Sequence, residues 1–253
     1  MGVDFGKTAR DYARYRTLFP PELFSRLAAL GIGLAGQRVA DVGTGTGTLA
    51  RGFAASGCVV AGVDVAPEML VEARRLDSAA GVVVDYRVAG AEDTGLAAGS
   101  WDVVSAGQCW HWFDRSRVLA EVQRLLDPSG ALVICYRDYV VEPDNVCAVS
   151  EDLVLAYNPG WPMATGYDYP LWMDELGLAG FSRVELLDFV VDVLFTHEEW
   201  RGRMRSSNGV GASLSEDAVA AFDAELASIL RSRFSVEPLV VPHRVWGVVA
   251  RRD

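Results

Sequence analysis

The sequence predicts an α/β fold with a parallel β-sheet, and two patterns support this prediction. Residues 39 to 137 alternate between short apolar stretches and helical segments, which gives four strand-and-helix repeats and a closing strand. The first apolar stretch leads into three glycines at every second position, and a helical pattern follows them. Because the chain has 253 residues, 51% of them hydrophobic, it can form one large domain with a substantial core.

The other predicted elements follow in chain order. The apolar spacing of residues 115–126 predicts an amphipathic helix, which a turn at residues 127–130 ends. Residues 196–199 form a capping box at the start of a later helix, and Ser213 is expected to cap the helix after it. Strands are predicted at residues 39–42, 58–63, 82–88, 100–106, 131–136, 182–196 and 240–251.

The segment 143–172 breaks the alternation of strands and helices. It contains four prolines and five aromatic residues. Loops that carry this many aromatic side chains usually cover a site. We therefore expect loops over this segment that cover a site.

Charge and composition limit the partners of the protein. A formal net charge of −11 argues against nucleic acid, because such binding depends on Lys and Arg side chains that neutralise phosphates. No apolar stretch is long enough to span a membrane, and the N-terminal residues lack the apolar region of a signal peptide. We expect a cytoplasmic protein that is a monomer or a homodimer. The four cysteines are expected to be reduced and to bind no metal; they are Cys58, Cys109, Cys135 and Cys147.

The glycine turn between Val42 and Thr48 carries most of the functional information. Glycine has no Cβ and tolerates positive φ, so backbone can come close to a ligand there. The N–H groups at the start of the following helix favour a polar or anionic ligand group. A dinucleotide fingerprint needs Gly-x-Gly-x-x-Gly, but here the third glycine comes one place early and Thr48 occupies its position. The glycine turn alone would also be compatible with a nicotinamide-binding site or with a purely structural turn that binds no ligand.

The run Asp41-Val42-Gly43-Thr44-Gly45-Thr46-Gly47 resembles the first motif of class I S-adenosylmethionine-dependent methyltransferases. The resemblance implies a Rossmann-like α/β fold with a seven-stranded, mostly parallel sheet, helices on both faces and a small lid. It also implies S-adenosylmethionine as the cofactor. The motif residues assigned to that cofactor are Asp41, Gly43, Thr44, Gly45 and Gly47.

Further cofactor contacts are predicted after the second and third strands. Asp64 ends the second strand, where a carboxylate can accept hydrogen bonds from both hydroxyls of a ribose. The alternative is that Asp64 only stabilises the N-terminus of the following helix through the helix dipole. Val65 follows it, and Met69 either packs on adenine or belongs to the core. The resemblance places adenine after the third strand, beside the backbone of Ala91 and the side chain of Glu92.

An unusual run, Gln108-Cys109-Trp110-His111-Trp112-Phe113, follows the fourth strand. Ligands of open α/β sheets lie outside the carboxyl ends of the strands, so Gln108 is expected to contact the cofactor and Trp110 and Trp112 the substrate. The run resembles the small-molecule branch of the family, type 11, which includes trans-aconitate methyltransferase-like proteins. His111 is the candidate catalytic base, because its charge changes near neutral pH. The alternative is that both tryptophans seal the core and His111 bonds backbone.

The remaining candidates come from distant parts of the chain. The resemblance places an N-terminal tyrosine and arginine over the amino-acid end of the cofactor, and it therefore assigns Arg16 to the cofactor. The alternative is that Tyr12 and Arg16 lie on a solvated helix face. We expect all three histidines at one edge of the sheet, without the spacing of a metal site. The other predicted substrate contacts are Tyr12, Tyr15, Trp161, Tyr169, His197 and His243.

The predicted function is transfer of a methyl group from S-adenosylmethionine to an O, N or C nucleophile of a small molecule, expected to be a secondary metabolite. The alternatives are a nicotinamide-dependent oxidoreductase and a non-catalytic S-adenosylmethionine-binding protein. We expect one methyltransferase domain over residues 1–253 with four segments. These are N-terminal lid helices at 1–36, a cofactor-binding core at 37–137, a substrate-cap insertion at 138–180, and C-terminal strands and helices at 181–253.

Overall fold

The computed structural model describes residues 18–161 and 169–252. Within them lie seven strands and eight α-helices. The strands are β1 Arg38–Val42, β2 Val59–Asp64, β3 Asp85–Val88, β4 Trp101–Gly107, β5 Leu126–Tyr139, β6 Arg183–Phe195 and β7 Leu239–Arg251. The helices are α1 Pro21–Ala29, α2 Thr48–Ala55, α3 Pro67–Ala80, α4 Arg115–Leu125, α5 Val146–Tyr157, α6 Tyr169–Leu178, α7 His197–Arg205 and α8 Glu216–Arg233.

The strands form one seven-stranded sheet in the order β3-β2-β1-β4-β5-β7-β6. Strand β1 pairs in parallel with β2 on one side and with β4 on the other, β2 pairs in parallel with β3, and β4 with β5. The predicted α/β fold with a seven-stranded sheet is confirmed. The strand order reverses between β1 and β4, and ligands of open α/β sheets bind at such a reversal, outside the carboxyl ends of the strands.

Two compact units make up the described chain. The first unit holds residues 18–137, 169–189 and 245–252, and the second unit holds residues 138–161 and 190–244. The sequence predicts a single insertion over residues 138–180, and the two units divide the described part of that segment between them.

The first unit has its core around the central strands. Strands β1 and β4 consist almost entirely of buried residues, as expected where helices cover both faces of a parallel sheet. Burying this apolar surface is the main stabilising contribution and fixes the strand ends that carry the candidate site.

The second unit has its own core, which includes Trp200 and Phe222. Helix α7 begins with the predicted capping box: the Thr196 side chain accepts the Glu199 backbone N–H, and the Glu199 side chain accepts the Thr196 backbone N–H. The predicted cap of helix α8 was wrong by two residues. Ser215 caps it by accepting the Ala218 N–H, whereas the Ser213 hydroxyl donates to the Asn208 carbonyl.

The expectation of loops over residues 143–172 is wrong for most of the described part of that segment. Helix α5 occupies residues 146–157, with Asn145 as its cap, and prolines 143 and 159 flank it instead of interrupting it. Helix α6 begins at Tyr169 and has Pro170 in its first turn, where proline is tolerated. None of the described helices is both long enough and apolar enough to cross a membrane.

The predicted turn at residues 127–130 is instead the beginning of β5. Leu126 already pairs with Trp101, and the register shifts before Val103. Gly130 is needed at this irregularity, because a Cβ there would lie 2.9 Å from the Trp101 carbonyl oxygen.

Candidate active site

The glycine turn between β1 and α2 is built from three glycines with positive φ, namely 63° at Gly43, 55° at Gly45 and 75° at Gly47. A Cβ on Gly43 would lie 2.8 Å from Sγ of Cys109, and one on Gly47 would lie 2.1 Å from the Tyr86 hydroxyl. A Cβ on Gly45 would meet no atom within 4 Å. Close packing therefore explains two of the glycines, whereas Gly45 borders open space.

Asp41 lies beneath this turn at the end of β1 and is 1% exposed. One carboxylate oxygen accepts the Thr44 hydroxyl and the other accepts the Ser105 hydroxyl, each at 2.6 Å. Burial raises the pKa of Asp41 to about 6, although both hydroxyls act in the opposite direction. The resemblance assigns Asp41 and Thr44 to the cofactor, and in the structure the Thr44 hydroxyl donates to the Asp41 carboxylate.

Asp64 ends β2 beside the glycine turn. Its Oδ2 accepts the Gly45 backbone N–H at 2.8 Å, and its Oδ1 accepts the Ala66 backbone N–H at 2.9 Å. Burial raises the pKa of this carboxyl, against the effect of these backbone bonds. A carboxylate oxygen accepts more than one hydrogen bond, so both oxygens keep capacity for ligand hydroxyls.

The other predicted cofactor residues near β2 and β3 differ in exposure. Val65 is 68% exposed, whereas Met69 and Ala91 are buried. Oε1 of Glu92 lies 3.2 Å from the backbone N–H of Asp114, the residue that caps α4. Glu92 therefore links the loop after β3 to the start of α4.

Gln108 follows β4 with an unusual backbone conformation. Its φ is 62°, which is uncommon for a residue other than glycine and is a form of local strain. The backbone N–H donates to the Cys135 carbonyl at 2.9 Å, and the side-chain amide donates to the Arg137 carbonyl. These bonds hold the strained residue at the carboxyl end of β4, beside β5.

The aromatic run then forms a short 3₁₀ helix over Trp110–Trp112. His111 lies next to Tyr136 of β5: the Tyr136 hydroxyl oxygen is 2.8 Å from Nδ1 of His111 and accepts the His111 backbone N–H at 3.1 Å. Trp110 is fully buried, and its indole N–H has no hydrogen-bond partner within the described residues. Trp112 is 49% exposed.

An aromatic group surrounds Tyr136 within the first unit. The rings of Tyr169 and Trp246 stack with centroids 4.1 Å apart, and the Trp172 centroid lies 5.0 Å from that of Tyr136. Of these, sequence analysis selected only Tyr169 as a site residue. Trp246 and Tyr136 are not predicted site residues, because each reads as an ordinary apolar strand residue in the sequence.

Both predicted substrate histidines lie in the second unit. Nε2 of His197 is 2.8 Å from the Phe234 carbonyl oxygen, and Nδ1 is 3.7 Å from the Glu237 carboxylate. His243 is 1% exposed, and its Nδ1 lies 3.0 Å from the Val241 carbonyl oxygen.

Trp161 also belongs to the second unit, where its ring packs against Gly209. The roles of Trp161, His197 and His243 in substrate binding stay predictions. Tyr12, Tyr15 and Arg16 lie outside the described residues. In the two ranges that the structure describes, no group of three or more His, Cys, Asp and Glu residues is arranged to hold a metal ion.

Several solved structures with this architecture are described as methyltransferases. The chain aligns with a structure from Anaeromyxobacter dehalogenans described as a type II methyltransferase, with a TM-score of 0.64, 22% identity, and coverage of 94% of this chain and 98% of that one. It also aligns with phosphoethanolamine N-methyltransferase 2 of Haemonchus contortus in complex with S-adenosylhomocysteine, with a TM-score of 0.59, 19% identity, and coverage of 100% and 61%. The fold is therefore the class I methyltransferase fold.

Sequence relatives agree with the fold. Residues 40–134 match the model of a methyltransferase domain. An uncharacterised methyltransferase of Mycobacterium tuberculosis is 37% identical over 133 residues, which is 52% of this chain and 51% of the relative; the chain thus spans about half the length of this relative. The ubiquinone biosynthesis O-methyltransferase of Xanthomonas oryzae is 33% identical over 181 residues, 69% of this chain and 72% of the relative.

This chain belongs to the family of class I S-adenosylmethionine-dependent methyltransferases. The glycine turn fits that cofactor, because Gly45 borders open space and the Asp64 carboxylate lies directly beside it.

Proposed function

We propose that the protein transfers the methyl group of S-adenosylmethionine to an O, N or C nucleophile of a small molecule, a secondary metabolite. The observation that carries this proposal is the pairing of Gly45 with Asp64 at the adjoining ends of β1 and β2. It combines a backbone that a ligand can approach closely with a carboxylate suited to ribose hydroxyls. The residues that would hold the cofactor are Arg16, Asp41, Gly43, Thr44, Gly45, Gly47, Asp64, Val65, Met69, Ala91, Glu92 and Gln108.

The bound cofactor supplies a methyl group that its positively charged sulfur already activates. The main task of the protein is therefore to hold donor and acceptor close together and in line, at roughly 3 to 3.5 Å. Gln108 and the 3₁₀ helix after it follow β4, on the side of the strand-order reversal opposite the glycine turn. This placement supports a role as a substrate contact for Trp112, which is half-exposed, whereas the same role for the fully buried Trp110 stays a prediction.

An acceptor that loses a proton during attack needs a base, and we assign that role to His111. The role requires the tautomer in which Nδ1–H donates to the Tyr136 hydroxyl oxygen, because Nε2 then carries the lone pair that accepts a proton. A hydroxyl acceptor, such as a phenol, has this requirement. The relatives named as O-methyltransferases support testing oxygen acceptors first.

The experiment is a screen for S-adenosylhomocysteine release with phenolic, carboxylic, amine and indole acceptors. Release that requires an acceptor, and that falls strongly in the Asp64→Ala variant, supports the proposal. Binding of S-adenosylmethionine without release for any acceptor class favours the non-catalytic binding protein. A tryptophan-fluorescence titration that responds to a nicotinamide cofactor but not to S-adenosylmethionine contradicts the proposal.

A further inference from the structure

A buried ion pair lies behind the glycine turn, in the first unit. Arg51 on α2 is 7% exposed and Asp77 on α3 is 4% exposed. Nε of Arg51 lies 2.8 Å from Oδ1 of Asp77. Desolvation of both charges opposes such a pair, so a buried ion pair is weak evidence for stability alone.

The Arg51 guanidinium also contacts the glycine turn directly. Its Nη2 donates to the Thr46 carbonyl oxygen at 2.7 Å and lies 3.4 Å from the Ala73 carbonyl oxygen. The Arg51 backbone N–H donates to the Gly47 carbonyl at 2.8 Å. Arg51 therefore fixes two successive carbonyl groups of the turn, while Asp77 holds the guanidinium from the other helix.

Tyr86 of β3 completes this arrangement. Its hydroxyl would lie 2.1 Å from a Cβ on Gly47, and its ring lies 2.6 Å from the Cβ position of Gly62. Asp77 is also close enough to raise the pKa of Tyr86, in addition to the larger effect of burial. The turn is thus held from behind by Arg51, Asp77 and Tyr86 and from the side by the Asp64 carboxylate.

We propose that Arg51 is a positioning residue for the cofactor site. Through the Thr46 carbonyl it holds the glycine turn in the shape that receives S-adenosylmethionine, and Asp77 orients it. This inference rests on the proposed function, because the ligand of the turn is that cofactor. A lysine cannot replace Arg51, because an ammonium group lacks the planar set of donors that reaches a carbonyl and a carboxylate together.

The test compares Arg51→Lys and Asp77→Asn with Arg251→Lys as the matched control. Arg251 belongs to the same unit and makes the same two kinds of contact, to the Leu30 carbonyl and the Glu185 carboxylate, each at 2.6 Å. Both of its partners lie outside the glycine turn. A general effect of replacing a partly buried arginine will therefore appear in the control as well.

Two measurements are made on each variant. In the cofactor-free protein, amide hydrogen exchange is followed at Gly47 and Arg51, and S-adenosylmethionine affinity is measured by calorimetry. We expect Arg51→Lys to raise both the exchange rate and the dissociation constant by about tenfold or more, as for the loss of a charge-assisted hydrogen bond. Turnover at saturating cofactor should change much less, and Arg251→Lys should leave both measurements unchanged.

Equal exchange rates and affinities in all three variants and the wild type would overturn the inference. If Arg51→Lys does not fold, the nearly isosteric Asp77→Asn variant carries the same comparison. Failure of the wild-type protein to bind S-adenosylmethionine would instead contradict the proposed function. The exchange rates of the cofactor-free variants would still decide whether Arg51 holds the turn.

Discussion

The Tyr136 hydroxyl oxygen makes two contacts with one residue, His111: it lies 2.8 Å from Nδ1 and accepts the backbone N–H at 3.1 Å. The two residues are 25 positions apart and meet because β4 and β5 pair in parallel with Gly107 opposite Cys135. A single hydroxyl thus restrains both the backbone and the ring of His111. This contact links the orientation of the candidate base to the core of the first unit.

We predict that His111→Gln lowers the turnover rate by about 100-fold or more if an acceptor proton must be removed. Tyr136→Phe keeps the ring packing but removes the hydroxyl, so its turnover should lie between that of the wild type and that of His111→Gln. The double variant should be no slower than His111→Gln, because both changes act on the same group. Cofactor affinity should remain nearly unchanged in all three, as calorimetry can verify.

His197→Ala serves as the comparison, since its ring contacts the Phe234 carbonyl in the second unit. It should lower turnover far less than His111→Gln. Full turnover of His111→Gln from about pH 6 to about pH 9 would mean that His111 is not a base in the reaction.

We predict that Asp64→Ala weakens S-adenosylmethionine binding by about 1.5 to 3 kcal/mol, the effect of losing a charged hydrogen-bond acceptor. The Gly45 and Ala66 N–H groups also lose their partner, so a small loss of stability should accompany the loss of affinity. Asp85→Ala, which removes an exposed carboxylate on β3, is the control for a change of charge alone. Unaltered affinity of Asp64→Ala in calorimetry would refute this assignment.

Two glycine variants should separate folding from ligand binding. In Gly43→Ala the new Cβ meets Cys109 and Phe113 at 2.8 Å, so the free energy of unfolding should fall by roughly 1 to 3 kcal/mol from crowding in addition to backbone strain. In Gly45→Ala only the strain of a positive φ is added, about 1 to 2 kcal/mol, but the methyl group enters the space beside Asp64.

Gly45→Ala should therefore lose cofactor affinity by more than its loss of stability would suggest. Urea denaturation and calorimetry measure the two quantities. Normal binding by a folded Gly45→Ala variant would show that no ligand approaches this glycine.

The buried carboxyl of Asp41 predicts a pH dependence of stability. Its pKa is about 6 in the folded protein against 3.8 for an unperturbed group. Between these values the folded state keeps a proton that the unfolded state releases, so this group makes the free energy of unfolding fall as pH rises from about 4 to about 6. The fall is at most about 3 kcal/mol.

Asp41→Asn removes this titration. The free energy of unfolding of Asp41→Asn, relative to that of the wild type, should therefore rise between about pH 4 and about pH 6. This difference should stay constant at lower and at higher pH. Urea denaturation at a series of pH values measures this difference. Parallel curves for the two proteins would show that Asp41 ionises normally in the folded state.

The sequence was sufficient for the elements whose signals are local. The apolar strands β1, β2 and β4 and the glycine turn were predicted within a residue or two, because strand length and turn chemistry are encoded within a few neighbouring residues. Helix α5 was missed because its flanking prolines suggested loops, although proline next to a helix end is compatible with the helix.

Contacts within the site were less accessible to sequence analysis. The bond from the Gly45 N–H to Asp64 joins residues 19 positions apart, and it depends on the register that places Val42 opposite Val63. Arg51 and Asp77 are 26 positions apart on different helices, and each alone looks like an ordinary charged helix residue. The residue types were visible in the sequence, but strand register and helix packing determine which of them meet.

The close packing of Cys109 against Gly43 gives the protein an internal probe of the glycine turn. Sγ of Cys109 is buried and donates to the Val42 carbonyl at 3.3 Å, and burial raises the pKa of this thiol well above its usual range. Only the thiolate reacts with alkylating reagents, so labelling of Cys109 requires the turn to move away from it. The labelling rate, localised to this residue by mass spectrometry, therefore measures opening of the turn, and S-adenosylmethionine should slow it in proportion to its occupancy.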